Sequence, residues 1–302
     1  MLRRMSVAQP ASIDDLTVAL GERAYLADRG LATVLHVALQ LGKPLLLEGE
    51  AGVGKTEVAK TLADVLGARL IRLQCYEGID VAHALYDWSY ARQMLYIRTL
   101  EAAGDASGAL KEVFGRDFLV RRPLLDAIEY DDIVPPVLLV DEIDRADGEF
   151  EAFLLELLSD FQITIPEIGT IAARRRPSVI LTSNRTRELH DALKRRCLFH
   201  WIGHPALDRE IEIVLMRVPG IPERLATQAA RFVRGLRELD LAKPPGVAET
   251  IDWAQALATL GEEQLSAEIV RQTLGSVLKY HEDLETVRDE ALAGLLEEAQ
   301  AG

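Results

Sequence analysis

Residues Gly49, Glu50, Ala51, Gly52, Val53, Gly54, Lys55 and Thr56 spell G-x-x-x-x-G-K-T. Glycines without side chains let successive backbone N–H groups close around a β-phosphate. Lys55 would reach the β/γ-phosphates, and the Thr56 hydroxyl would sit on Mg2+. Such a loop needs a strand before it and a helix behind it. The apolar run Pro44-Leu45-Leu46-Leu47 supplies the first, and Glu57 to Ala63 reads as the second, with a helix N-terminus that adds partial positive charge. The bland alternative is a glycine-rich turn without a ligand; Lys and Thr directly behind the last glycine argue against it.

A second set of chemical groups ends another apolar run. Val137-Leu138-Leu139-Val140 does not alternate, as expected of a strand buried on both faces of a parallel sheet, and it leads straight into Asp141 and Glu142. Ligands of open α/β sheets bind at such carboxyl ends. Asp141 is placed to hold the Mg2+ that Thr56 contacts, directly or through water, and Glu142 to orient and deprotonate an attacking water. Taken alone, the two acids could equally be a solvated strand end. Ser178 to Asn184 is a further buried strand, which puts Asn184 beside the γ-phosphate if it neighbours the Asp141 strand; its alternative is a strand-ending turn residue. Arg195 and Arg196 close a short helix over Leu189–Cys197. They cannot easily turn back to their own phosphate loop, so their expected role is across a subunit interface, neutralising transition-state charge in trans.

The elements that must position these groups follow in order. Ser12 and Asp15 frame a capping box at a short helix, and a longer helix is expected from Ala24 to Leu41, closed by Gly42. After the phosphate loop, Leu70-Ile71-Arg72-Leu73 is a second strand in a β-α-β order that implies parallel pairing. Residues 74–135 elaborate on this core: a loop over Cys75–Asp80, a helix from Val81 to Leu100 with Tyr86, Trp88, Tyr90 and Tyr96 on one face, a turn at Gly104–Gly108, and a helical segment from Gly115 to Tyr130. Those aromatics either pack a core or meet a partner. Phe150–Phe161 reads as an apolar helix, Phe161–Ala172 as a hairpin and Leu198–Ile202 as the last strand. From Leu207 the pattern is helical only, over 207–217, 223–238, 247–260, 266–280 and 282–299.

Composition narrows the classes. The chain has 302 residues, 49% hydrophobic and 27% charged, with 34 basic against 48 acidic residues and a formal net charge of −14. It is expected to be a soluble globular protein, and the negative balance disfavours DNA or RNA as partner. No apolar run is long enough to span a bilayer. Arg3 and Arg4 have no apolar stretch behind them, so no secretory signal is expected and the cytoplasm is the default. Cys75 and Cys197 lack metal-ligand spacing and read as reduced thiols. Gly203 and Pro205 spoil any helical metal pair between His200 and His204, and Arg174-Arg175-Arg176 reads as a solvated loop tip.

In this order, the phosphate loop, acid-ended strand, hairpin, Asn-ended strand, arginine-bearing helix and terminal helices resemble the AAA+ ATPases. Val140-Asp141-Glu142-Ile143-Asp144-Arg145-Ala146, the hairpin and the insertion are similar to the MoxR group. The resemblance implies an α/β P-loop core sandwiched by helices over residues 1–205, with the insertion at about 74–135, and a small all-helical lid over 206–302. It also implies ATP and Mg2+ as ligands, with Lys55 and Thr56 in the Walker A roles, Asp141 and Glu142 in the Walker B roles, Asn184 as sensor 1, and Arg196, with Arg195 as competitor, as arginine finger. A hexamer acting on a client enzyme beside a von Willebrand A-domain protein is the implied setting. One departure stands out: the group often carries a sensor 2 arginine at the start of a lid helix, but Gly246-Val247-Ala248-Glu249-Thr250-Ile251-Asp252-Trp253 has none. This stretch, with Tyr76–Asp80 and Leu85–Trp88, looks similar to CoxD-type members, associated with maturing the metal centre of molybdenum-containing carbon monoxide dehydrogenase. The competing functions are a nucleic-acid motor or loader and a slow-hydrolysing regulatory nucleotide-binding module.

Overall fold

The computed structural model describes residues 10–103, 112–288 and 290–301; the expected turn at Gly104–Gly108 lies outside them. The chain divides into two compact units. The first takes in the chain up to Arg23, Ala27–Glu48 and Thr56–Trp201; the second, Ala24–Leu26, Gly49–Lys55 and the chain from Ile202 onward.

The central sheet has five strands, β1 (Leu45–Gly49), β2 (Leu70–Gln74), β5 (Val137–Asp141), β8 (Ser178–Ser183) and β9 (Leu198–Ile202), in the order β2-β5-β8-β1-β9. The β2·β5, β5·β8 and β1·β8 pairs are parallel, in the registers Leu73↔Val140, Val140↔Leu181 and Leu46↔Leu181. Burial explains the sequence pattern. Every residue of β1 and β5 is buried, which is why these runs are uninterrupted, whereas the edge strands β2 and β9 alternate. The helices Pro123–Ile128 and Gly148–Asp160 share one apolar cluster with Leu46, Ile71, Leu138 and Leu181.

Several expected elements are shorter or different. The helix expected from Ala24 runs over Arg29–Leu41, because the Asp28 carboxylate caps it by accepting the Leu31 N–H. The Val81–Leu100 helix is broken into helix Val81–Ala84, strand β3 (Tyr86–Trp88) and helix Tyr90–Ala103. β3 pairs antiparallel with β4 (Leu119–Arg121), which replaces part of the helix expected over Gly115–Tyr130. The helical remainder, Pro123–Ile128, starts where proline is tolerated, at the first helical position. Tyr86 and Trp88 thus lie on a strand and pack on the core, and Trp88 meets Phe114 edge-on at 5.4 Å. β6 (Gln162–Ile165) and β7 (Gly169–Ala172) form the expected hairpin.

In the second unit, helices Leu207–Arg217, Glu223–Arg237, Val247–Thr259, Ala267–Thr273 and Glu290–Gln300 bury a core around Phe232 and Trp253. The Trp253 indole N–H donates to Thr273 Oγ1 at 2.8 Å, which satisfies its polar tip inside that core. The expected 266–280 helix stops at Thr273, where a 3-10 turn containing Gly275 takes over, and 282–299 is split into His281–Thr286 and Glu290–Gln300. Among the described residues no helix is long and apolar enough to cross a membrane.

Candidate nucleotide site

In the second unit, the phosphate loop is shaped by its glycines. Gly52 and Gly54 have φ of 77° and 94°, a region that side-chain-bearing residues rarely adopt, and a Cβ on Gly49 would fall 2.2 Å from the Ile202 carbonyl oxygen. Lys55 is buried and folds back across its own loop, donating to the carbonyls of Gly49 at 2.7 Å and Glu50 at 2.5 Å. Glu50 in turn faces His204, Nε2 to Oε2 at 3.1 Å. His204 thus has a partner in the loop, and among the described residues no group of three or more His, Cys, Asp or Glu is arranged to hold a metal.

The loop is also met by the start of helix Val247–Thr259. The Ala248 N–H donates to the Gly52 carbonyl at 3.0 Å, and a Cβ on Gly246 would stand 2.7 Å from the Ala51 carbonyl oxygen. Glu249 closes this helix end by accepting the Gly246 N–H at 2.9 Å. Behind it, Arg237 forks onto the buried Glu210 through two 2.7 Å bonds, and Thr250 donates to the same carboxylate. Where the stretch Gly246–Trp253 lacks an arginine, the contact with the loop is thus made by backbone, held in place by a buried ion pair.

In the first unit, the acid-ended strand carries a buried polar cluster. Asp141 is 1% exposed. Its Oδ1 accepts Thr56 Oγ1 at 3.0 Å and Thr182 Oγ1 at 2.5 Å, and its Oδ2 accepts Arg72 Nε at 3.0 Å and Nη2 at 2.6 Å. The oxygens of Thr56 and Asp141 converge as hard donors that suit Mg2+, which keeps several ligands from water and substrate phosphates. Glu142 turns away from the strand through a left-handed backbone, φ 55° and ψ 50°, held by its N–H donating to Thr182 Oγ1 at 2.9 Å. A non-glycine residue held there stores of order 1 kcal/mol, the kind of strain found at functional sites. The Glu142 carboxylate rests on Arg145 Nε at 2.8 Å. Cys75 is buried beside these acids: burial first and the neighbouring carboxylates second push its thiol up to about 12.

Asn184 follows β8 directly, and β8 does neighbour the Asp141 strand. Its N–H donates to the buried Asp144 at 3.2 Å, and Asp144 also accepts from the Thr186 N–H at 2.9 Å and hydroxyl at 2.7 Å. Arg195 and Arg196 lie outside this cluster, exposed in the last turn of helix Asp191–Arg196. Arg196 donates to Ser159 Oγ at 2.7 Å and to the Ala192 carbonyl at 3.4 Å. Sequence reasoning did not single out Arg72, Thr182 or Asp144 as site residues. A signal existed for the last two, a polar residue inside the apolar run of β8 and a third acid in Asp141-Glu142-Ile143-Asp144.

In fold the chain is similar to RuvB from Thermotoga maritima. A single-substitution RuvB variant is 16% identical, covering 94% of this chain and 76% of that one with a TM-score of 0.50. The structure titled RuvB Holliday junction branch migration motor is 16% identical over 88% of this chain and 71% of that one, at 0.45. No curated protein matches the sequence significantly. The parallel five-stranded sheet flanked by helices, with helices following, is the AAA+ P-loop NTPase fold. The family model described as AAA domain, dynein-related subfamily, matches residues 44–197, slightly more than half of the sequence, and the chain belongs to that family.

Proposed function

We propose that this chain hydrolyses ATP with Mg2+ and uses the cycle to remodel a client protein, in the manner of the MoxR group. On this reading the loop Gly49–Thr56 binds the phosphates, Thr56 and Asp141 hold Mg2+, and Glu142 takes the proton of the attacking water. Asn184 orients that water and the γ-phosphate. Mg2+ would neutralise charge on the phosphates. The observation that carries the reading is the Thr56 hydroxyl on the buried Asp141 carboxylate at 3.0 Å, with the left-handed Glu142 immediately beyond. The Arg145 partner does not preclude a base role for Glu142, because an ion pair this exposed contributes about 0–1 kcal/mol and is readily exchanged.

The proposal further assigns residues 1–205 to the nucleotide-binding domain and 206–302 to the lid, in a cytoplasmic homohexamer. Arg196, or Arg195 in its place, completes the neighbour's site. The client is a metalloenzyme under maturation beside a von Willebrand A-domain partner; the CoxD-like stretches favour molybdenum-containing carbon monoxide dehydrogenase. The formal charge of −14 weighs against a nucleic-acid motor.

Glu142→Gln and Lys55→Ala separate the steps. Glu142→Gln is expected to bind ATP as the wild type does and to lose turnover by about 10²-fold or more, while Lys55→Ala loses binding itself. Turnover by Glu142→Gln at the wild-type rate would refute the role of Glu142. No phosphate release by the wild type would leave the slow regulatory module, and retention of DNA or RNA on a filter at low salt would favour the motor. A pull-down with ATP-loaded Glu142→Gln identifies the client.

A further inference from the structure

Arg72 is not part of the phosphate loop or of the acid pair, yet it makes two of the contacts to Asp141. It extends from the edge strand β2, one strand away from Asp141, and both its Nε and Nη2 donate to the single oxygen Oδ2, at 3.0 and 2.6 Å. The other oxygen accepts from the two threonine hydroxyls, and Thr56 Oγ1 also lies 3.3 Å from Oδ2. A carboxylate buried to this degree is costly without a cation, and here a guanidinium provides it. The side chain of Arg72 is 48% exposed, so it has room to leave. Gln74 Oε1, 2.5 Å from Nη2, offers an acceptor outside the cluster that Arg72 could keep after letting go of Asp141.

We infer that Arg72 is a positioning residue that competes with Mg2+ for the Asp141 carboxylate and must yield Oδ2 to the metal or its water. The inference rests on the reading that Asp141 serves Mg2+. Two cations cannot share one carboxylate oxygen without repelling each other across a short, partly desolvated distance. Arg72 therefore raises the metal concentration the site requires and keeps Asp141 aligned until metal arrives. A purely structural strut would stabilise the sheet end without opposing a metal.

The test measures Mn2+ binding to the full chain without nucleotide, from the loss of the free-ion electron paramagnetic resonance signal. Arg72→Gln, which removes the charge, is expected to bind Mn2+ about tenfold more tightly than the wild type, and Arg72→Lys, which keeps one donor, to fall between. Adding Asp141→Asn to Arg72→Gln should abolish the gain. Equal or weaker Mn2+ binding by Arg72→Gln overturns the inference. If that variant does not fold, Arg72→Lys decides alone, a gain of about threefold supporting and no gain overturning it. A parallel titration with a fluorescent ATP analogue and Mg2+ keeps the two claims apart. A wild type that binds no nucleotide defeats the proposed function, whereas the Mn2+ comparison still decides the role of Arg72.

Discussion

Asp141 at the end of β5 and Arg196 at the end of helix Asp191–Arg196 both carry charge, and the fold treats them in opposite ways. Asp141 is 1% exposed and held by three side chains from three different strands and helices. Arg196 is exposed, bonded to one hydroxyl and one carbonyl within a helix pair. A group that acts on a ligand inside its own chain gains from being fixed beforehand, since any reorganisation at the moment of reaction adds to the barrier. A group meant for another molecule must stay where that molecule can reach it. The difference teaches that, on the proposed reading, one chain carries the metal and water half of an ATPase site and presents the finger half outward.

The largest expected effect breaks the outward half. Arg196→Ala should bind nucleotide normally yet lose oligomer-dependent hydrolysis by about 10³-fold or more, the range of other arginine fingers. Mixing it with Lys55→Ala subunits should restore activity, because each variant supplies what the other lacks; rescue of Arg195→Ala instead would move the assignment by one residue. A smaller effect probes the inward half. Asp144→Ala removes the acceptor of three donors around Asn184 and should cost about 2 kcal/mol in a denaturant titration, with Asn184 misplaced and turnover reduced. Unchanged stability would mean that the buried carboxylate does not fix this turn.

The same contrast separates what the sequence made legible from what it hid. The phosphate loop, β1, β5 and β8 were readable because burial on both faces fills these strands largely with apolar residues and the loop motif is local. The insertion was not. Tyr86–Trp88 continues the apparent helix from Val81, but its partner Leu119–Arg121 lies some thirty residues away, and no local periodicity reports such a pairing. Arg72 and Thr182 escaped for a related reason: their place beside Asp141 depends on the register of three adjacent strands, Arg72↔Leu139 and Val140↔Leu181 among the pairs, which the sequence does not write down. Two misses did carry signals, Asp28 as a cap and Pro123 as a first helical residue.

The smallest expected effect sharpens how closed the inward half is. The Cys75 thiol is raised from its ordinary 9.0 to about 12 by burial and then by the charges of Asp141, Asp144 and Glu142. In the unfolded chain the same thiol loses its proton near its ordinary value, so above pH 9 the unfolded state binds fewer protons than the folded one. The stability that Cys75 contributes is therefore fully present below pH 9 and is lost as pH rises toward 12. Comparing wild type with Cys75→Ala cancels the other titrating groups. The stability difference between them should shift by about 1 kcal/mol toward the variant between pH 8 and pH 10, read from denaturant midpoints. A flat difference across that interval would mean water reaches the thiol, and with it the acid end of the sheet, in the folded chain.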